Sequence, residues 1–149
     1  MENSKLILAI EEEITFLKRV KLDQNFKIDE ITSDREKKLD EIFKDLISVV
    51  DAFDKADKRI EEQYPEDEAA IKTRKRFSTS KKKLIEILKK NGVEEMIFSD
   101  GFSTLEDCQI VDTEPDSTKH PNTILSIEKP GYRRNGRLLR LAEVIVVKN

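Results

Sequence analysis

The sequence predicts an α+β chain. It should hold a long N-terminal helix paired with a second copy, a short second helix that forms a dimeric four-helix bundle, and a small C-terminal all-β domain. Three observations carry this reading. Met1 to Tyr64 contains neither glycine nor proline, so nothing interrupts a helix there. A second breaker-free stretch follows Pro65 and closes on Asn91-Gly92. After Gly92 the apolar residues stop recurring at three-four spacing and gather in short β-branched runs between turn signals. The segments are 1–64, a coiled-coil-like dimerisation helix, 65–92, the helix completing the bundle, and 93–149, the β domain.

The first segment carries Ile7, Ile10, Ile14, Leu17, Ile28, Ile31, Ile42, Leu46, Val49 and Phe53 on one helical stripe. Lys21, Gln24, Arg35 and Lys38 interrupt that phase, so the seam is not a strict zipper. A helix of this length would run roughly 90 Å, whereas a compact domain of this size has a radius of gyration of about 15 Å. The chain cannot cover such a helix alone, so a second copy or a partner is expected to bury the stripe. Asn3 or Ser4 is placed to cap its start. From Leu39 the apolar face widens through Ile42, Phe43, Leu46, Ile47, Val49, Val50 and Phe53, as a bundle segment with more than one neighbour requires.

Tyr64-Pro65 ends the helix, because the residue before proline leaves the α region. Pro65 is expected at the first position of the second helix, with Glu66, Asp67 and Glu68 suiting its N-terminal dipole. Ile71, Phe77, Leu84, Ile85 and Leu88 form its apolar stripe, and Lys89-Lys90-Asn91-Gly92 supplies cations and a left-handed cap at its end. Strands are expected over Val93–Phe98, Cys108–Val111, Thr123–Ile127, Arg137–Arg140 and Val144–Val147. Asn135-Gly136 is the dipeptide a type I′ hairpin favours, so Arg133 to Arg140 should fold back on itself.

Charged residues make up 40% of the chain, with both signs interspersed, which suits a solvated helical rod better than an enzyme core. Net charge is −3, which argues against nucleic acid as the default partner. The balance is local, however. Gln63 to Gly92 carries 9 basic and 4 acidic residues, against 12 and 17 from Met1 to Glu62. Lys72, Arg74, Lys75, Arg76, Lys81, Lys82 and Lys83 are read as a solvated face opposing the acidic first helix. The alternative is phosphate-backbone binding, for which no aromatic stacking platform is present.

No apolar run approaches the ~20 residues of a membrane span, and the charged N-terminus has no signal-peptide core. A cytoplasmic protein without a membrane anchor is expected. The lone Cys108 allows no intrachain disulfide and reads as a small buried hydrophobe. His120, the lone histidine, sits before Pro121 in a polar loop without partner ligands. No glycine-rich phosphate loop is present. Composition and motifs give no support for an enzyme, a cofactor or a metal, which leaves binding as the functional class.

The C-terminal stretch Gly131-Tyr132-Arg133-Arg134-Asn135-Gly136-Arg137-Leu138-Leu139-Arg140-Leu141-Ala142-Glu143-Val144-Ile145-Val146 resembles the signature of the GrpE family. Asp45 to Asp51, Ile87 to Val93 and Leu17-Lys18-Arg19 resemble other family segments in order and spacing, so the likeness runs from about Phe16 to Lys148. It implies a homodimeric nucleotide exchange factor that binds the ATPase domain of a DnaK-type chaperone, opens its nucleotide cleft and lets ADP leave, while hydrolysing nothing. The resemblance carries chaperone contact onto Arg137, Phe102, Val146, Lys18 and Arg19. For Val146, core packing is an equal reading. Where the family has Asp-Pro after its apolar loop residue, Phe102 is followed by Ser103-Thr104. Asp107 stands near the usual histidine position and Leu141 at a common proline position. The altered loop is the feature favouring an alternative, a dimeric coiled-coil adaptor that kept the fold and lost exchange activity.

Overall fold

A computed structural model of the chain describes residues 1–148. The chain divides into two compact units, Met1–Leu39 and Asp40–Asn149. Its elements are two helices, α1 (Glu2–Gln63) and α2 (Glu68–Lys90), followed by strands β1 (Val93–Glu95), β2 (Cys108–Glu114), β3 (Ile124–Lys129), β4 (Tyr132–Arg134), β5 (Arg137–Arg140) and β6 (Ala142–Val147). The α+β class is that expected, with a long first helix, a shorter second one and a small β region of two sheets.

The first unit consists of the N-terminal part of α1. The helix begins at Glu2, so Asn3 and Ser4 lie inside its first turn rather than capping it. The Lys5 amide already donates to the Met1 carbonyl at 3.4 Å, and main-chain bonding therefore starts earlier than the capping preference suggested. Ile7, Ile10, Ile14, Leu17, Ile28 and Ile31 are all exposed in this unit.

The second unit opens with the rest of α1. The Tyr64 amide donates to Ile60 at 2.9 Å, finishing the last turn before Pro65. Pro65 does not start α2. Asp67 caps it, its carboxylate accepting from the amides of Ala69 at 2.7 Å and Ala70 at 3.2 Å. Two free donors gain an acceptor this way, so the helix starts at Glu68 and the proline sits in the preceding turn. The helices meet through Phe53 and Phe77, whose ring centroids lie 6.0 Å apart with planes tilted by 55°. Arg74 bonds Asp57 at 2.8 Å and Glu61 at 3.2 Å, and Lys81 pairs with Asp54. Part of the basic stretch thus opposes the acidic residues of α1. Lys75, Arg76, Lys82 and Lys83 face solvent.

The Asn91 and Gly92 amides close α2 on the Leu88 and Lys89 carbonyls, each at 3.0 Å. Gly92 adopts a left-handed φ of 76°, and a Cβ there would collide with the Asn135 side chain. Only glycine serves both requirements. The bond from the Asn135 amide to the Gly92 carbonyl, 2.9 Å, ties the end of α2 to the hairpin turn.

The strands form two three-stranded sheets, ordered β1-β4-β5 and β2-β6-β3. In the first sheet β4 pairs antiparallel with β1, Val93 opposite Arg134, and with β5, Tyr132 opposite Arg140. β1 is shorter than the expected Val93–Phe98, ending at Glu95. Asn135 and Gly136 both take positive φ, 48° and 79°, the backbone a type I′ turn demands. In the second sheet β6 is central, parallel to β2 with Cys108 opposite Ala142 and antiparallel to β3 with Ile127 opposite Val144. Leu141 is the single residue between β5 of the first sheet and β6 of the second. Alternation along β6 buries Ala142, Val144 and Val146, which cluster with Cys108 and pack against Phe98 and Ile124.

Candidate interaction surface

Asp40, Phe43, Ile47, Val50 and Asp51 fall within roughly a 100° arc at 100° per residue on α1. The three apolar members are buried, Ile47 completely. The two aspartates are the acceptors for the arginines of the β4–β5 hairpin. Arg140 donates to both carboxylate oxygens of Asp51, Nη2···Oδ1 3.0 Å, and through Nε and Nη2 to the Pro130 carbonyl at 3.1 and 2.8 Å. Its guanidinium also lies 5.4 Å from the centre of the Tyr132 ring. Arg134, buried, donates to Asp40 at 2.8 Å and stands 5.0 Å over the Phe43 ring. These are charge-assisted contacts of low exposure, and the Arg140–Asp51 pair is two-pronged. They anchor the hairpin on the helix.

Arg137 is different. Its Nη2 reaches Asp40 only at 3.4 Å, and half of its side chain is exposed. An ion pair of that kind is worth ~0.2–1 kcal/mol. Arg134 and Arg140 are the less exposed anchors of the hairpin, while Arg137 stands half-exposed beside its turn.

Burial pushes the Tyr132 phenol up to about 12, with the nearby Glu95 carboxylate adding and Arg140 opposing. The hydrogen bond from Arg74 holds Asp57 below its ordinary value. Thr118 does the same for Asp116 through its hydroxyl and amide.

The structure spreads the other sequence-derived contact residues over distinct settings. Phe102 is part-exposed and bridges to Thr123. Its amide donates to the Asp100 carboxylate at 3.0 Å, which fixes the loop's entry. Val146 is 1% exposed inside the second-sheet cluster, so its burial favours core packing over direct contact. Lys18 and Arg19 are exposed on the first unit. Within the stripe assigned to dimerisation, Ile42 and Val49 are exposed, Leu46 is half-buried, and Phe53 already has Phe77 of its own chain against it.

Sequence reasoning missed Asp40 and Asp51 as partners of the hairpin arginines. The available signal was a pair of acidic residues flanking three apolar ones on one helical face. It also passed over Ile97 and Leu105, the most exposed large apolar side chains of the β region at 88% and 91%. Leu105 stands in the altered loop. That loop has its own fixed geometry. Asp107 pairs with Arg133 of β4, the Cys108 amide bonds Thr104 at 2.9 Å, and the Asp107 carbonyl accepts from Ala142 at 2.9 Å.

Among the described residues, no helix is long and apolar enough to cross a membrane. Comparison with known families matches residues 18–148 to the GrpE family model. The Protein GrpE of Francisella tularensis subsp. novicida strain U112 is 30% identical over 123 residues. The Protein GrpE of subsp. mediasiatica strain FSC147 is 30% identical over 120. Each alignment takes in 80% of this chain and 60% of the relative, so the chain spans about 60% of the length of these curated relatives.

Proposed function

The chain belongs to the GrpE family, and from that premise we propose that it is a nucleotide exchange factor for a DnaK-type chaperone. It acts as a homodimer, binds the chaperone's ATPase domain, opens the nucleotide cleft and promotes ADP release without catalysing any reaction itself. The observation that carries this reading is the family match over residues 18–148, which takes in most of α1, all of α2 and the β region. The β4–β5 hairpin, braced on α1 by Arg134 and Arg140 with Arg137 at its surface, supports it as a rigid contact element. Phe102 and the exposed Leu105 supply apolar contacts from the segment between β1 and β2, and Lys18 and Arg19 supply charge on the first unit.

The mechanism is a population shift. An exchange factor must bind the open ATPase conformation more tightly than the closed one, and linkage then weakens nucleotide binding by the same factor. A braced hairpin suits that role, because a contact surface that yields loses its preference for one lobe geometry.

Stopped-flow release of a fluorescent ADP from a purified DnaK-type chaperone tests the reading. Strong acceleration at stoichiometric dimer is expected, and Arg137→Ala should weaken chaperone binding about 10-fold, as loss of a surface charge-assisted contact does, while the dimer persists. A complex without acceleration would replace the proposal with the adaptor reading, which the altered Phe102–Asp107 loop favours. Unchanged affinity in Arg137→Ala would remove the hairpin from the interface.

A further inference from the structure

The two sheets are joined at the base of the β4–β5 hairpin. Leu141 links β5 to β6 there, and Gly131 comes so near Ala142 that a Cβ on it would lie 2.7 Å from the Ala142 amide nitrogen. Arg133 joins the sheets again nearer the turn. Arg134 beside it reaches Asp40 of α1, so alternation sends the Arg133 side chain to the other face of β4. There its Nη1 donates to the Gly136 carbonyl at 3.0 Å and its Nη2 to the Asp107 carboxylate. Gly136 belongs to the hairpin turn, and Asp107 leads directly into β2 of the second sheet. One planar guanidinium thus clasps both sheets, a geometry that suits arginine's fork and not the point charge of a lysine. The Phe102–Asp107 loop belongs to the second sheet's side of the clasp. The Ser103 amide bonds the Asn122 carbonyl at 3.0 Å, and the Ile124 amide bonds the Gly101 carbonyl at 2.8 Å.

We propose that Arg133 is a positioning residue that locks the Phe102–Asp107 loop and the second sheet to the hairpin, so that they meet a partner as one rigid body. This rests on the reading above that the hairpin and this loop contact the chaperone. The Arg133–Asp107 pair is part-exposed and adds little to overall stability. Its effect is on the choice between chaperone conformations. Coupling to the nucleotide is set by the ratio of the protein's affinities for the nucleotide-free and the ADP-loaded chaperone. Two contact elements free to rock on the base of the hairpin would adjust to the closed lobe as well as to the open one, and the ratio would shrink. A clasped pair cannot follow the closed lobe.

Affinities of the intact chain for a purified DnaK-type chaperone, nucleotide-free and ADP-loaded, give that ratio. Arg133→Met should shrink it roughly 3- to 10-fold, within the span of ordinary allosteric couplings. Affinity for the nucleotide-free form should fall less than about 3-fold, as loss of a part-exposed pair allows. Asp107→Ala should act alike, and the double variant should do no more than either change alone. Equal loss of both affinities would show a merely structural role and overturn the proposal, as would an unchanged ratio or additive effects. Hydrogen exchange of the free protein tests the clasp without a chaperone. Arg133→Met should speed exchange at the Cys108 and Ala142 amides, bonded at 2.9 Å to the Thr104 and Asp107 carbonyls, and unchanged rates would overturn it. Should Arg133→Met fail to fold by circular dichroism, Arg133→Lys, which keeps the charge and gives up the fork, takes its place under the same criteria. A natural protein with equal affinity for both chaperone forms would fail the functional reading instead, and hydrogen exchange would still decide the clasp.

Discussion

The same helical periodicity runs through both units, yet its fate differs between them. In Met1–Leu39 every apolar position of the stripe, Ile7 through Ile31, is exposed. In Asp40–Asn149 the positions Phe43, Ile47 and Val50 are buried, and the aspartates flanking them are bound by arginines of the β4–β5 hairpin. The difference teaches that a three-four pattern reports which residues need cover, not what supplies it. The second unit covers the Phe43, Ile47 and Val50 face itself and leaves Ile42 and Val49 exposed. The first presents an exposed seam, which the proposed homodimer would cover with a second copy.

The sharpest way to break this comparison is to truncate one position in each unit. Ile47→Ala removes a fully buried side chain, and cores of this kind lose about 3 kcal/mol. Chemical denaturation should show a marked drop in the midpoint. Ile14→Ala should leave the transition of the second unit in place and lower only the concentration-dependent helical signal. Equal effects of the two substitutions would erase the distinction.

Next in size is the hairpin anchor. Arg140→Ala leaves Asp51 without its bidentate donor in a setting only 17% exposed. Breaking buried pairs costs about 3–5 kcal/mol, and the part-exposure here reduces the expected loss to roughly 2 kcal/mol. Urea denaturation followed by near-ultraviolet circular dichroism checks it, and a loss below about 0.5 kcal/mol, the size of an exposed pair, would mean the hairpin is held otherwise.

A smaller effect sharpens the account of the second unit at alkaline pH. Burial raises the folded Tyr132 phenol from its ordinary 10.0 to about 12. Between those values the unfolded chain has released a proton that the folded chain keeps. Stability is therefore complete below pH 10 and falls as pH rises toward 12, by up to about 1.4 kcal/mol per unit. Tyr132→Phe should remove that slope, which denaturant midpoints measured from pH 9 to 12 would reveal.

Much of the fold is legible in the chain because its signals are local. Breaker-free runs give the helices, Asn135-Gly136 gives the hairpin, and Gly92 closes α2. The start of α2 was misplaced because Pro65 and Asp67 each carry a helix-start signal, and hydrogen bonding to two amides outweighs a preset φ. The site is less legible. Arg137 is identifiable from the glycine-arginine motif, but its relation to Asp40 spans 97 residues, and no local pattern encodes which carboxylate an arginine will meet. Val146 shows the opposite limit. A valine in an alternating strand looks the same whether it faces a core or a partner, and only the packing of Cys108, Ala142 and Val144 around it separates the two.

Sedimentation equilibrium of the intact chain, alongside an Ile10→Asp/Ile14→Asp variant, tests the comparison most directly. The account predicts twice the chain mass at micromolar concentration, a shift toward single chain mass in the variant, and an unchanged near-ultraviolet spectrum from the second unit in both. A natural chain that stays at single mass across that range, with its helical signal intact, would contradict the claim that a second copy covers the first unit.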